Sequence, residues 1–225
     1  MGTASESSAP VEKQTGRLEA FSDGVFGIAL TLLVLELKVP EIAITPGGPN
    51  PGVGRALWVQ LAQQWPAYLS FVTSFFSVLV MWIHHHRVFR LVHGVDATLL
   101  FANGFLMFMV VLVPFPTAVI SEYLDTPAGK AACAFYGATF TLVSTAFYLT
   151  LMAGFRKSVV SPHASPAVMK QLCRSYKAGA PLYLLATLAA PFSRWVSMGI
   201  CTGLWFLWLI TATDRLPGGG RAGAE

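Results

Sequence analysis

The chain has 225 residues, of which 54% are hydrophobic and only 12% are charged, with a formal net charge of +4 and a mean hydropathy of +0.59. Soluble domains carry about 25% charged residues, so the composition argues against a soluble enzyme or binding module and indicates a membrane protein. The excess positive charge is explained by the orientation of membrane loops, and we expect no nucleic-acid partner.

Six stretches are apolar enough to cross the hydrocarbon core, which takes about 20 helical residues. In chain order they are 18–38, 57–83, 97–120, 130–154, 178–193 and 195–213. The last two depend on a turn at 191–194; without it they merge into one kinked element and the count falls to five. The sequence thus predicts an all-α integral membrane protein with six transmembrane helices in one domain, 16–214. We expect 1–15 to be a disordered cytoplasmic tail and 215–225 a flexible one.

The positive-inside rule gives the orientation of these six spans. Placing the N-terminus in the cytoplasm puts most of the 15 lysines and arginines on the cytoplasmic side. Only Lys38, Arg55, Lys130 and Arg194 fall outside. The sequence therefore predicts a multi-pass protein of the cell membrane with both termini in the cytoplasm.

The first span has two different faces. A helix rotates by about 100° per residue, and one apolar stripe with a single hydroxyl groups the following residues: Gly24, Ile28, Thr31, Leu32, Leu35 and Val39. Asp23 lies about 140° away from Ile28 on this projection. Such a stripe is also what a helix uses to pack against a neighbour, so periodicity alone leaves a pore surface and a packing surface both open.

The Asp23 carboxylate needs a partner, and Arg17 is not spaced at the i,i+3 or i,i+4 positions that bring side chains together. With the N-terminus inside, the second span ends at the depth where the first begins, and it carries Trp82 and His85 on one face. Asn103 in the third span lies at a similar depth. We expect Asp23 to be buried, to accept hydrogen bonds from these groups and to lock the first helix against the second and third.

The sequence gives little support for metal binding, reactive cysteines or catalysis. His84, His85 and His86 are consecutive and point in three directions around a helix, so they do not converge on one metal ion. The three cysteines follow no CxxC spacing and are expected to be inert. No nucleophile elbow, P-loop or metalloprotease motif is present, so we expect no enzyme activity, no cofactor, no metal and no small-molecule substrate.

The first span, R-L-E-A-F-S-D-G followed by V-F-G-I-A-L-T-L-L-V-L, closely resembles the first-helix signature of the transmembrane-protein-175 family of potassium channels, in its prokaryotic branch. W-I-H-H-H-R-V-F at 82–89 resembles the end of that family's second helix. The region of Asn103 and P-F-P-T at 114–117 resemble its third helix. Beyond about residue 120, the resemblance extends only to the number of helices.

The resemblance implies a homotetramer in which four copies of the first helix surround a central pore for potassium ions. Ile28 would form a hydrophobic constriction together with Leu32 and Leu35, and Thr31 would supply a hydroxyl layer linked to selectivity. A structural network behind the pore is implied for the motif and its partners: Arg17, Phe21, Ser22, Asp23, Trp82, His85 and Asn103.

Two other functions stay open at this point. A proton-coupled secondary transporter would use Asp23 and the histidines at 84–86, because ionisable groups inside a membrane often mark proton pathways. Such carriers frequently show inverted repeats and broken midplane helices, and the sequence offers neither. A non-conducting membrane scaffold would use the apolar stripe only for packing.

Overall fold

The computed structural model describes residues 9–44, 48, 51–162 and 164–213. This part of the chain is helical apart from loops and one isolated antiparallel bridge between Val92 and Val160. The helices are α1 (Ala9–Leu32), α2 (Val53–Gln63), α3 (Trp65–Phe89), α4 (Ala97–Leu112), α5 (Pro114–Tyr123), α6 (Gly129–Gly154), α7 (Pro166–Lys177), α8 (Gly179–Ala189) and α9 (Arg194–Thr213).

The first span differs from its prediction at both ends. α1 begins at Ala9, so the last part of the predicted 1–15 tail is helical, while 1–8 and the predicted tail at 215–225 lie outside the described residues. At its other end α1 tightens into a 3-10 turn, Leu33–Glu36, and the backbone of Leu37 is extended. The predicted end at residue 38 is therefore two residues too late.

The second span is displaced from its predicted bounds of 57–83. α2 is a separate helix that follows Gly52, whose φ of +82° lies in the left-handed region that glycine adopts without strain. None of its residues is buried. The membrane-crossing helix is α3, which begins at Trp65 with Pro66 in its first turn, where a missing N–H costs no helical hydrogen bond.

The third span is interrupted by a proline. Pro114 has no N–H to give to the helical ladder, so α4 ends at Leu112 and α5 begins at once, the two forming a single segment, Ala97–Tyr123. The Val110 carbonyl, which Pro114 leaves without its helical donor, accepts instead from the Val113 N–H at 3.1 Å.

The last part of the chain turns where the sequence predicted. Residues 190–193 are not helical, so α8 and α9 are separate helices. α8 has only 11 residues, about 16 Å of helix, whereas α6 covers 26 residues and matches the fourth predicted span. Within the described residues, four segments are long and apolar enough to cross a membrane: Thr15–Glu36, Trp65–Phe89, Ala97–Tyr123 and Gly129–Gly154.

α6 lies at the centre of the bundle and packs against α4, α5, α8 and α9. Its side chains Tyr136 and Phe140 are fully buried. The Tyr136 hydroxyl is satisfied inside the core, because it lies 2.9 Å from the Ser74 hydroxyl of α3, which in turn lies 2.7 Å from that of Thr117. α1 lies at one side of this core. Within the described residues it packs mainly against α3 and α4.

Candidate functional site

α1 buries one face and leaves the other open. Phe26, Ala29 and Leu33 are at most 1% exposed and belong to the core. On the opposite side Ile28 is 60% exposed and Leu35 is 68% exposed. An apolar helix with so large an uncovered apolar side is unusual for a folded chain unless lipid or another chain covers it.

The exposed side carries the residues that the sequence placed on one stripe. Leu32 is 37% exposed, and Gly24 and Thr31 are also exposed. Val39 is 87% exposed but lies beyond the helix. The Thr31 hydroxyl donates its only proton to the Ile28 carbonyl at 2.8 Å. The lone pairs of this oxygen are therefore left to act as acceptors, which is the property required of a cation ligand.

Asp23 has one of the partners that the sequence predicted. The indole Nε1 of Trp82 donates to its Oδ1 at 2.9 Å and so joins α1 to α3. However, Asp23 is exposed in the single chain, contrary to the expected burial. It makes no hydrogen bond to His85 or Asn103 in the described part of the chain, so the predicted convergence of all three donors on this carboxylate is wrong.

Ser22, the residue before Asp23, takes the buried position instead. Asn103 of α4 donates from Nδ2 to the Ser22 hydroxyl at 2.9 Å, and Ser22 donates to the Leu18 carbonyl at 2.9 Å. Because the Asn103 amide nitrogen is used in this way, its Oδ1 accepts from His85 Nε2, also at 2.9 Å. This chain of three hydrogen bonds joins α3, α4 and α1 through side chains that are at most 1% exposed.

Arg17 and Phe21 do not enter these hydrogen bonds. Both are exposed, and together with Asn103 and Gly104 they line a groove beside α4 with a volume of about 550 Å³. The nearby carboxylate of Glu19 accepts a hydrogen bond from His86 Nδ1 at 2.7 Å. Within the described residues Arg17 forms no ion pair.

Sequence reasoning missed the Glu19–His86 contact. Arg90 donates from Nε to His86 Nε2 at 3.3 Å, so the other ring nitrogen carries the proton that Glu19 accepts. The Trp82 indole stacks on the His86 ring with centroids 6.3 Å apart. The available signal was the helical spacing of Glu19 and Asp23, which lie four residues apart and face the end of α3.

The three histidines at 84–86 do not form a metal centre. His84 lies against the Trp208 carbonyl and the Tyr176 hydroxyl, at 3.2 Å and 2.7 Å, while the other two bind Asn103 and Glu19. A search of the described residues finds no group of three or more histidine, cysteine or carboxylate side chains able to hold a metal ion. The three cysteines, Cys133, Cys173 and Cys201, are free thiols.

Comparisons with known proteins show which family the chain is similar to. A potassium channel of Chamaesiphon minutus is 42% identical over 194 residues, which cover 86% of this chain and 92% of that protein. A potassium channel of Streptomyces collinus is 44% identical over 135 residues, which cover 60% of this chain and 61% of that protein.

The fold of the chain is also similar to that of a solved structure. The crystal structure of a lysosomal potassium-selective channel TMEM175 homolog from Chamaesiphon minutus superposes with a TM-score of 0.79 at 37% identity, covering 89% of this chain and 99% of that one. Residues 17–114, which include most of α1 and all of α3 and α4, match the family model of the endosomal/lysosomal potassium channel TMEM175. The chain therefore belongs to the TMEM175 family, a family of ion channels and not of enzymes.

Proposed function

We propose that the chain forms a homotetrameric, potassium-preferring cation channel in which α1 of each of four subunits lines a central pore. Each subunit would cross the cell membrane six times, with both termini in the cytoplasm and potassium as the permeant ion. The observation that carries this proposal is the exposed stripe from Ile28 in α1 to Leu35 in its 3-10 turn, opposite a face that packs into the core.

Lipid could in principle cover that stripe, because lipid tails are as apolar as leucine. The composition of the stripe favours other helices instead. Gly24, Gly27 and Thr31 are exposed on this side, and small residues are typical of surfaces where membrane helices approach each other closely. Neither glycine has any atom within 4 Å of the place where a Cβ would lie, so this side of α1 is free to receive a neighbouring subunit.

Four copies of the stripe would give a pore with apolar and polar layers. Rings of Ile28, Leu32 and Leu35 would oppose the passage of hydrated ions and would gate by dewetting. Four Thr31 hydroxyls, each with its proton already donated to the Ile28 carbonyl, would replace part of the hydration shell of a cation. Apolar rings do not distinguish potassium from sodium, so any preference has to come from the Thr31 layer and the pore diameter.

The ion pairs of the described residues join segments that the proposed topology places on the same side of the membrane. At one end of the bundle Lys38 pairs with Glu122, and Arg194 pairs with Asp125 at 3.3 Å. All four residues belong to segments that the positive-inside rule assigns to the outside. At the other end, Arg156 lies 3.7 Å from Asp96, in loops assigned to the cytoplasm.

The proton-coupled transporter has weaker support. A relay needs a carboxylate and a histidine in contact, but the donor to Asp23 is an indole N–H, which does not exchange protons at ordinary pH. The contact of His86 with Glu19 at 2.7 Å does join a histidine to a carboxylate, although it leads to Arg90 and not further into the bundle.

The test is flux of potassium and of sodium into liposomes that contain the purified protein. We expect flux that favours potassium, and we expect Ile28→Asn to raise it, because a polar side chain at the constriction keeps the pore hydrated. The matched control is Ile210→Asn, the same change at an isoleucine of α9 that is 43% exposed, which should leave flux unchanged.

The number of subunits is measured in the same preparation by native mass spectrometry. No flux from either the wild-type chain or Ile28→Asn, with the tetramer intact, would reject the channel. Flux that depends on a proton gradient and is abolished by Asp23→Asn would instead support the transporter. Equal changes of flux in Ile28→Asn and Ile210→Asn would mean that Ile28 serves packing and does not line a pore.

A further inference from the structure

α7 is an amphipathic helix with a purely basic face. A helix rotates by about 100° per residue, so Lys170, Arg174 and Lys177 lie within about 60° of one another, and all three are exposed. Leu172 and Tyr176 lie on the opposite side and are buried, at 4% and 7% exposure. The cations therefore project away from the bundle together.

The buried face fixes this orientation. Because His84 Nε2 donates to the Trp208 carbonyl at 3.2 Å, its Nδ1 is left to accept from the Tyr176 hydroxyl at 2.7 Å. The Tyr176 ring also packs on Phe147 of α6, with centroids 5.1 Å apart. α7 is thus held against α3 and α6 by a specific polar contact and by aromatic packing.

The basic face has no counter-charge in its own part of the chain. The sequence contains neither aspartate nor glutamate between residues 126 and 213. Among the residues that the structure describes, Lys170, Arg174 and Lys177 form no ion pair, whereas the nearby cation Arg156 is paired with Asp96. Three exposed cations on one helical face repel one another, so an anionic partner would stabilise this face.

The position of α7 in the chain identifies that partner. Only Ala178 separates Lys177 from Gly179, the first residue of the apolar helix α8, and α7 follows the membrane-crossing α6. These neighbours bring the three cations of α7 within reach of the membrane surface, and lysine and arginine clusters beside a membrane helix attract anionic lipid headgroups. We propose that α7 rests on the membrane surface and binds the headgroups of anionic phospholipids through Lys170, Arg174 and Lys177.

The experiment measures lipid binding and does not depend on ion conduction. The purified full chain in neutral detergent is mixed with phosphatidylglycerol or with phosphatidylcholine, and native mass spectrometry counts the lipids retained. Each basic side chain near an anionic surface contributes about fivefold in affinity. Lys170→Gln with Arg174→Gln should therefore weaken phosphatidylglycerol binding by roughly 30-fold. Added salt should weaken the wild-type binding in the same direction.

The matched control is Arg55→Gln with Lys130→Gln, which removes the same charge from two exposed positions outside α7. It should retain phosphatidylglycerol as the wild type does, and so should the charge-preserving pair Lys170→Arg with Arg174→Lys. The unfolding midpoint of each variant without lipid shows whether it is folded. Equal affinity of the wild type for the two lipids, or an equal loss in the two glutamine pairs, would overturn the proposal.

Discussion

Replacing Asn103 by leucine should destabilise the subunit by about 2 kcal/mol. Asn103 is fully buried, and it is the middle member of the chain that runs from His85 through its amide to Ser22. Leucine has the same number of side-chain heavy atoms and the same branching, so the change removes two hydrogen bonds without opening a cavity. It leaves the N–H of His85 without its acceptor in a part of the molecule that water does not reach.

The magnitude follows from the number of bonds and from their surroundings. Hydrogen bonds between membrane helices contribute about 0.6 kcal/mol on average and up to about 1.7 kcal/mol each. Two of them give about 1–3 kcal/mol, and the middle of this interval is a factor of about 30 in the unfolding equilibrium. His85 raises the cost, because its Nδ1 already lacks a partner among the described atoms.

The assay is reversible unfolding in mixed micelles, with a titration of denaturing detergent followed by helical circular dichroism. A double-mutant cycle that combines Asn103→Leu with Ser22→Ala should give a coupling energy of about 0.6–1.7 kcal/mol. Phe101→Leu on the same helix, at a side chain that is 81% exposed, should change the free energy of unfolding by less than about 0.5 kcal/mol. An Asn103→Leu variant as stable as the wild type would refute the assignment of this hydrogen-bonded chain.

Two further predictions use the same titration. Trp82→Phe should lower the free energy of unfolding by about 1 kcal/mol, because it removes the donor to Asp23. Asp23→Asn should lower this free energy less than Asp23→Ala does, since an amide oxygen still accepts a hydrogen bond. Equal losses in the two Asp23 variants would show that the negative charge matters more than the hydrogen bond. Gly137→Ala should cost about 1–3 kcal/mol, because its Cβ would lie 2.7 Å from Oγ1 and 3.0 Å from the backbone nitrogen of Thr187 in α8. Gly203→Ala, with no atom within 4 Å, should be neutral or stabilising, and similar losses at the two glycines would contradict the close packing of α6 on α8.

The two faces of α1 could be predicted because helical periodicity depends only on local geometry. Ile28, Thr31 and Leu35 share a side in any helix, and they are exposed on one side in the structure. What periodicity does not contain is which neighbour covers each face. That is why the same pattern allowed a pore and a packing surface, and why the choice of a pore rests on the family and on the small residues of the stripe.

The partner of Asp23 shows where sequence reasoning fails. Because Asp23 is charged, the sequence predicted that it is buried among hydrogen-bond donors. The structure instead buries Ser22, about 100° away around the helix, at the centre of the packed face. A serine hydroxyl is cheap to bury when it donates to its own helix, as Ser22 does to Leu18. Burial of the carboxylate would have cost far more, so Asp23 stays at the edge with a single donor.

The bounds of the second span and the break within the third were missed for a different reason. Hydropathy measures how apolar a stretch is and not where its backbone breaks, so it joined most of α2 to α3 across Gln64. Pro66 and Pro114 carried the missing information, because each stands in the first turn of a new helix. By contrast, α6 has no proline, and its predicted and observed bounds agree to within one residue.

The end of α3 explains how one short segment positions several helices. Consecutive residues in a helix point about 100° apart, so the three histidines face different neighbours. His84 faces α9 and α7, His85 faces α4, and His86 faces α1. Histidine suits these positions because both ring nitrogens can form hydrogen bonds, as in His84 and His86, while the ring packs like an aromatic side chain. The spacing that prevents these histidines from sharing a metal ion is the same spacing that lets them hold four helices. α1 is placed by this segment through Glu19 and, one turn away, through Trp82 and Asp23, so the position of the proposed pore surface depends on the packing at the end of α3.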